Sequence, residues 1–250
     1  MKTINLLILV AAISLCLSLA TADDMSKSFE EIVKDYGYPF EQHFINTNDG
    51  YILKLFRIPH DKIASKNDEE KRPPILIQHG IFDSSDFVVS HGPEKSLVFV
   101  LADFGYDVWV ANSRGNKHSR QHKTLNPDKD KAFWDFSFFE MIEDYKANIE
   151  HIIKETGFSK IGVIGHSQGT SSMFAGLSTQ NDWFESRVSI FVALGSVTRL
   201  DHMTTQLLKY LIEFPIVLKT IKELGIVEMF PYNWIIQPVF KTLCGLLPKV

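Results

Sequence analysis

Residues 165–169 read Gly165-His166-Ser167-Gln168-Gly169, directly after the apolar run 161–164 and directly before a stretch of good helix formers. The Gly-x-Ser-x-Gly pattern fixes only three positions and can arise by chance. Between a strand and a helix it becomes the signature of a nucleophile elbow, a tight turn that holds a serine with its hydroxyl exposed. Such a turn closes only if the neighbours of the serine lack side chains, which accounts for the glycines. The helix that starts there also aims its first amides at developing negative charge. The alternative is a glycine-rich strand-to-helix turn with no activity.

An elbow of this kind needs a parallel sheet, and the rest of the chain supplies the pattern for one. Short apolar runs recur at 75–77, 108–111, 161–164 and 188–194. Between the second and third, Met141, Ile142, Tyr145, Ile149, Ile152 and Ile153 recur at helical period as far as Gly157, with Ser137 and Glu140 at capping-box spacing. That predicts a helix of roughly four turns closed by the glycine. Apolar runs separated by helical stretches predict an α/β fold, a mainly parallel sheet with crossover helices. Upstream, Asn48-Asp49-Gly50 sits between two strand-like runs and predicts a hairpin. Residues 61–74 and 112–130 read as polar loops. From Leu200 the chain is apolar and helix-rich, broken at Pro215, Pro231 and Pro238, which reads either as a cap of short helices or as further core.

The run at 75–77 ends in His79-Gly80-Ile81, where folds with such an elbow place the loop that supplies a second oxyanion-hole amide. The candidate donors are the backbone N–H groups of Ile81 and Gln168. His79 reads as a histidine held by hydrogen bonds behind the hole rather than as a catalytic group.

Composition narrows the partners. The chain has 250 residues, 45% of them hydrophobic and 12% aromatic, enough for one large buried core. With 26 basic and 30 acidic residues and no block of like charge, nothing favours nucleic acid or an anionic membrane. Lys2, the apolar run 6–19 and the small residues Ala20 and Ala22 predict a signal peptide over 1–22, and hence secretion or delivery to a lysosome. The other reading, a membrane anchor, is disfavoured because the run falls short of the ~20 residues a bilayer requires. Cleavage removes Lys2 and takes the net charge from −4 to −5. Of two cysteines, Cys16 lies in the signal, so Cys244 has no internal partner. No Asn-x-Ser/Thr sequon occurs.

Five segments carry a more specific resemblance: GYPFEQHFINTNDGYILKLFRIP, QHGIFDSS, VWVANSRGNKHSR, FWDFSFFEMIEDY and IGVIGHSQGT. In order and spacing the chain resembles, over about residues 36–200, the acid lipase family, the group of lysosomal acid lipase and gastric lipase. The resemblance implies an α/β-hydrolase fold and hydrolysis of neutral lipid esters, triacylglycerols or cholesteryl esters, at a transient lipid–water interface. It implies no cofactor and no metal. It also implies a helical cap over an acyl pocket, with Ser167 as nucleophile and Ile81 and Gln168 at the oxyanion positions. On that basis residues 23–199 are a partial hydrolase domain and 200–250 the start of the cap.

The pattern departs from the family downstream of Ser167. The triad of this fold runs Ser, then Asp or Glu, then His. Here the one later histidine is His202 and the later aspartates are Asp182 and Asp201. Asp201 and His202 are adjacent, an awkward arrangement for one to grip the other while it reaches the serine. His118 and His122, upstream, sit in a polar loop and read as solvated or structural. The expectation is that the family's later strands, with their Asp and His, are missing and that the 250-residue chain is nearly inactive. Two further readings stand beside the lipase: a lipid-binding remnant without a base, and a hydrolase of the same fold acting on peptides or small esters.

Overall fold

The four apolar runs become four neighbouring strands, because a parallel strand covered on both faces needs apolar residues at successive positions rather than at alternate ones. The structure, a computed structural model, describes residues 27–63, 71–200 and 204. The 1–22 segment, Asp201, His202, Cys244 and nearly all of 200–250 lie outside the described residues. Strands β1 (Glu41–Asn46), β2 (Tyr51–Ile58), β3 (Pro74–Gln78), β4 (Asp107–Ala111), β5 (Gln121–His122), β6 (Ile161–His166) and β7 (Val188–Leu194) form one sheet. Its order is β1-β2-β4-β3-β6-β7, with β5 paired to β2. β1 and β2 form the expected antiparallel hairpin, β2 is antiparallel to β4, and β4, β3, β6 and β7 run parallel. Gly50 closes the hairpin at φ 100°, where a Cβ would lie 2.8 Å from the His122 ring.

The strand order explains where the helices lie. The chain leaves the central strand β3 for β4 on one side, then crosses back to β6 on the other. Crossovers of one hand that run in opposite directions fall on opposite faces. Helix α1 (Phe29–Asp35) and helix α2 (Leu97–Asp103) accordingly pack with Phe56, Ile77 and Val110 on one face. Helices α3 (Met141–Thr156) and α4 (Gln168–Thr179) pack with Leu55, Leu76, Trp109 and Val163 on the other. A short helix α5 (Asn181–Glu185) adds Phe184 to that second core. The direction of travel reverses between the carboxyl ends of β3 and β6, the crevice where open α/β sheets place their ligands.

Two of the departures from the sequence expectation involve capping boxes. α1 lies in a stretch where the sequence pattern predicts no element, although Ser28 and Glu31 form a complete capping box there, Ser28 N–H donating to Glu31 Oε2 at 2.7 Å. The helix holds its place by burying Phe29, Ile32 and Val33. The Ser137–Glu140 box also forms, with Ser137 N–H donating to Glu140 Oε2 at 2.7 Å, but it closes a separate turn. α3 begins only at Met141 and ends, as the periodicity requires, at Gly157 with φ 71°.

One buried ion cluster locks the loop after β4 to α3. The Arg114 side chain is 1% exposed and lies 4.1 Å from the Tyr51 ring centroid. It donates through Nε (2.8 Å) and Nη2 (2.6 Å) to Asp144, and through Nη1 (2.5 Å) to Asp49 in the hairpin turn. Burial pushes the Asp144 carboxyl up to about 6, and the opposing Arg114 guanidinium keeps it ionised at neutral pH. Removing the cation strands a buried carboxylate. Arg114→Met should therefore destabilise the fold by about 3–5 kcal/mol, measured by urea denaturation at pH 7. A loss below ~1 kcal/mol, the size of an exposed pair, would show that the cluster does not hold these elements together.

Candidate active site

The parallel register sets the site. Gln78 of β3 pairs with Gly165 of β6, so the residues that follow, Gly80 and Ser167, emerge side by side. The chain then turns abruptly from β6 into α4, and Ser167 is the one non-glycine residue with positive φ (51°) among the described residues. Such a backbone costs of order 1–3 kcal/mol and persists only where its surroundings impose it. The imposing contacts are visible. Ser167 N–H donates to Leu194 O at 3.0 Å, and Ser167 O accepts from Thr170 N–H at 2.9 Å and from Thr170 Oγ1 at 2.6 Å. Its Oγ, by contrast, has no hydrogen-bond partner among the described residues and caps nothing in α4.

The glycines have specific steric reasons. A Cβ on Gly165 would stand 3.1 Å from the Gly169 carbonyl carbon, and one on Gly169 would stand 3.0 Å from the carbonyl oxygens of both Gln78 and His79. A Cβ on Gly80 would stand 3.0 Å from Ser167 Cβ and 3.5 Å from its Oγ. The end of β3, the end of β6 and the first turn of α4 thus meet backbone to backbone around the serine. Buried Tyr145 of α3 ties down the same turn, its Oη donating to Gly169 O at 2.8 Å. Ile81 follows Gly80 and Gln168 follows Ser167 in the chain, and neither backbone N–H donates to another described group.

Behind Gly80 lies a polar network in which His79 is held by hydrogen bonds, as its place in the sequence suggests, by partners the sequence did not reveal. His79 is 3% exposed, with Nδ1 2.7 Å from Gly80 O and Nε2 3.1 Å from Ser113 N. Asn116 Nδ2 donates to His79 Nε2 (3.0 Å) and to Asn112 Oδ1 (2.9 Å), which also accepts from Ser85 N–H (3.0 Å). The clue available in the sequence was the run of small polar residues, Asn112, Ser113, Asn116 and Ser119, directly after a fully buried strand. Burial pushes the His79 imidazole down to about 4. Burial would raise Asp86 as well, but a 2.8 Å bond from His118 and the ammonium of Lys117 hold it at about 2. His118 is thus engaged with Asp86. His122 holds a loop, accepting from Thr124 and Leu125 N–H at 3.1 Å each. Asp182 lies on α5, outside this group. His166 stacks on Phe87 at 5.4 Å. Among the described residues no group of three or more His, Cys, Asp or Glu could hold a metal, and no helix is long and apolar enough to cross a membrane.

The sheet order and the elbow define a class of protein. A family model described as the α/β-hydrolase fold matches residues 73–215, more than half of the sequence, and this chain belongs to that family. A second model, a partial α/β-hydrolase lipase region, matches residues 29–92. Within the family the chain is similar to the acid lipases. It is 40% identical over 185 residues to gastric triacylglycerol lipase of Bos taurus, covering 74% of this chain and 46% of the relative. It is 39% identical over 191 residues to lysosomal acid lipase/cholesteryl ester hydrolase of Homo sapiens, covering 76% and 47%. To Lipase 1 of Drosophila melanogaster it is 44% identical over 168 residues, covering 67% and 36%. The chain thus spans about half the length, or less, of these relatives. The solved structure of an esterase from Pyrococcus furiosus shares the fold at 21% identity, with a TM-score of 0.50 over 76% of this chain and 62% of that one.

Two outcomes follow from the geometry. Gly169→Ala should cost about 1–3 kcal/mol in thermal or urea unfolding, because the methyl meets backbone that cannot swing aside. A neutral result would show that α4 has slack against β3. The second concerns pH. The His79 imidazole titrates near 4 when folded and near the ordinary 6.5 when unfolded, so between these values the unfolded chain binds more protons. Its contribution to stability is complete above pH 6.5 and is lost as pH falls toward 4, a change of about 3 kcal/mol. His118, Asp86 and His166 act on the same ring and are common to both proteins compared. The stability difference between wild type and His79→Gln should shrink by that amount from pH 7 to pH 4. A constant difference would mean that His79 is not buried neutral.

Proposed function

We propose that the chain is the nucleophile-bearing part of a serine ester hydrolase acting on neutral lipid esters, triacylglycerols or cholesteryl esters. The observation that carries this reading is Ser167 itself, at φ 51° on the strand-to-helix turn, with an uncommitted Oγ beside Gly80. Ser167 Oγ attacks the ester carbonyl carbon, its proton passes to a histidine, and the carbonyl oxygen gains negative charge between the Ile81 and Gln168 amides. The histidine then returns the proton to the departing alcohol, and water hydrolyses the acyl-enzyme. Ile81 and Phe82, which follow Gly80 and are 59% and 39% exposed, suit an apolar acyl chain approaching from a lipid–water interface. The names of the relatives support lipid esters as substrate and a secreted or lysosomal setting, in keeping with a signal peptide over 1–22. Residues 23–199 would form the hydrolase core and 200–250 the start of a cap.

A second reading, a lipid-binding protein without turnover, has one observation in its favour: among the described residues no histidine reaches Ser167 Oγ. The two are separated by assaying short- and long-chain acyl esters with the 250-residue chain and with a form extended to the length of the relatives. The expected outcome is turnover in the extended form, lower by about 10⁴–10⁶ in the form without a base, and abolished by Ser167→Ala while folding is kept. Turnover that survives Ser167→Ala would remove the serine from the mechanism. Lipid binding without turnover in either form would favour the second reading.

A further inference from the structure

The hydrogen bonds around His79 assign its proton. Ser113 N–H can only donate, so Nε2 carries the lone pair, and Gly80 O can only accept, so Nδ1 carries the hydrogen. Asn116 agrees, because its Oδ1 accepts from His118 N–H (2.9 Å) and Ser119 N–H (3.0 Å), which turns its Nδ2 toward His79. The ring is therefore a neutral imidazole bonded at both nitrogens, one end on the loop after β4 and the other on the turn after β3. The carbonyl it grips belongs to the peptide unit that contains the Ile81 N–H. That unit is planar and trans, so its C=O and N–H point in opposite directions. Fixing the oxygen from the buried side aims the amide hydrogen away from His79. Gly80, on which the unit pivots, is the residue that lies against Ser167.

We propose that His79 is a positioning residue of the active site, a rigid strut from the Ser113 amide to the Gly80 carbonyl that sets the direction of the Ile81 N–H. It touches neither substrate nor reacting atoms. This rests on the reading of Ser167 as nucleophile and of the Ile81 amide as an oxyanion donor. An amide on a glycine-containing turn would otherwise rotate easily, since Gly80 restricts its own dihedrals little. Catalysis by such donors depends on their being aimed before the charge develops. Asn112, Asn116 and Ser113 extend the strut back to β4 and the Ser85 turn, which explains why a run of small polar residues is buried behind the site.

The experiment uses the form of the protein that shows Ser167-dependent ester turnover. In His79→Phe, which keeps a flat ring but neither hydrogen bond, kcat should fall by up to about 10²-fold while KM stays within about threefold, the pattern of an interaction made only in the transition state. His79→Gln, whose amide can donate to Gly80 O and accept from Ser113 N–H, should recover at least a tenth of wild-type kcat. An unchanged kcat per folded molecule in His79→Phe, with only a lower unfolding midpoint, would reduce His79 to a structural residue. So would equal losses in both variants, or a rise in KM alone. If His79→Phe fails to fold, ¹⁵N NMR of the histidines of the wild-type 250-residue chain decides. A neutral Nδ1–H tautomer at pH 7 is expected, and an Nε2–H tautomer or an imidazolium overturns the strut. Turnover that persists in Ser167→Ala refutes the underlying reading instead, and so is distinguishable from failure of the strut.

Discussion

The structure turns on one steric constraint, the meeting of three backbones with no side chain between them. α4 can begin directly after β6 only if Gly165 and Gly169 allow its first turn to lie on the carboxyl ends of β6 and β3. Once it does, Ser167 has nowhere to go but positive φ, and its side chain is left outside the helix that it starts. The serine's place outside the helix is thus a consequence of close packing beneath it. A methyl group at Gly169 would press on the backbone oxygens of Gln78 and His79, and so disturb the loop that carries Ile81 along with the helix.

Around that contact the fold divides its work by polarity. The two faces of the sheet hold separate apolar cores, one under α1 and α2 and one under α3, α4 and α5. Polar groups concentrate at the carboxyl edge, where strands end and loops must be held without regular ladders. Arg114 joins the hairpin turn, the loop after β4 and α3 through two aspartates, while His79, Asn112 and Asn116 join the turn after β3 to the same loop. Most buried polar groups in folded proteins find hydrogen-bond partners, and here Arg114, His79, Asn112 and Asn116 each tie two or more segments together. The loop after β4 is therefore scaffold for the site, although it contributes no group to the serine.

Much of this was legible in the residues. The runs at 75–77, 108–111, 161–164 and 188–194 are all strands, and the glycine-flanked Ser167 lies on the expected turn. α3 follows the periodicity of Ile142, Tyr145, Ile149 and Ile152 because one helix face packed on one sheet leaves a regular signal. α2 left none: Leu97–Asp103 is only seven residues, apolar up to Asp103 and too short to show a period, and burial of Val98, Phe99 and Ala102 against the sheet holds it helical. β7 is apolar in sequence yet only partly covered, Ile190 being 61% exposed, and among the described residues it pairs with β6 alone.

By itself the sequence placed a serine between glycines at the end of one strand, a Gly80-Ile81 turn at the end of another, and a two-faced parallel sheet to carry both. These are local facts, set by backbone freedom and by hydrophobic period, and neighbouring residues suffice to encode them. Tertiary structure decided what lies beside what. The register of β3 against β6 brings Gly80 to Ser167 across 87 positions of chain, and the return of the chain from β4 places Ser113 and Asn116 behind His79. No local pattern encodes such a pairing, because a histidine in a loop has the same appearance in sequence whether it faces water or two backbone groups. Only the packed fold, by excluding water from that ring and surrounding it with one acceptor and two donors, decides which proton it keeps.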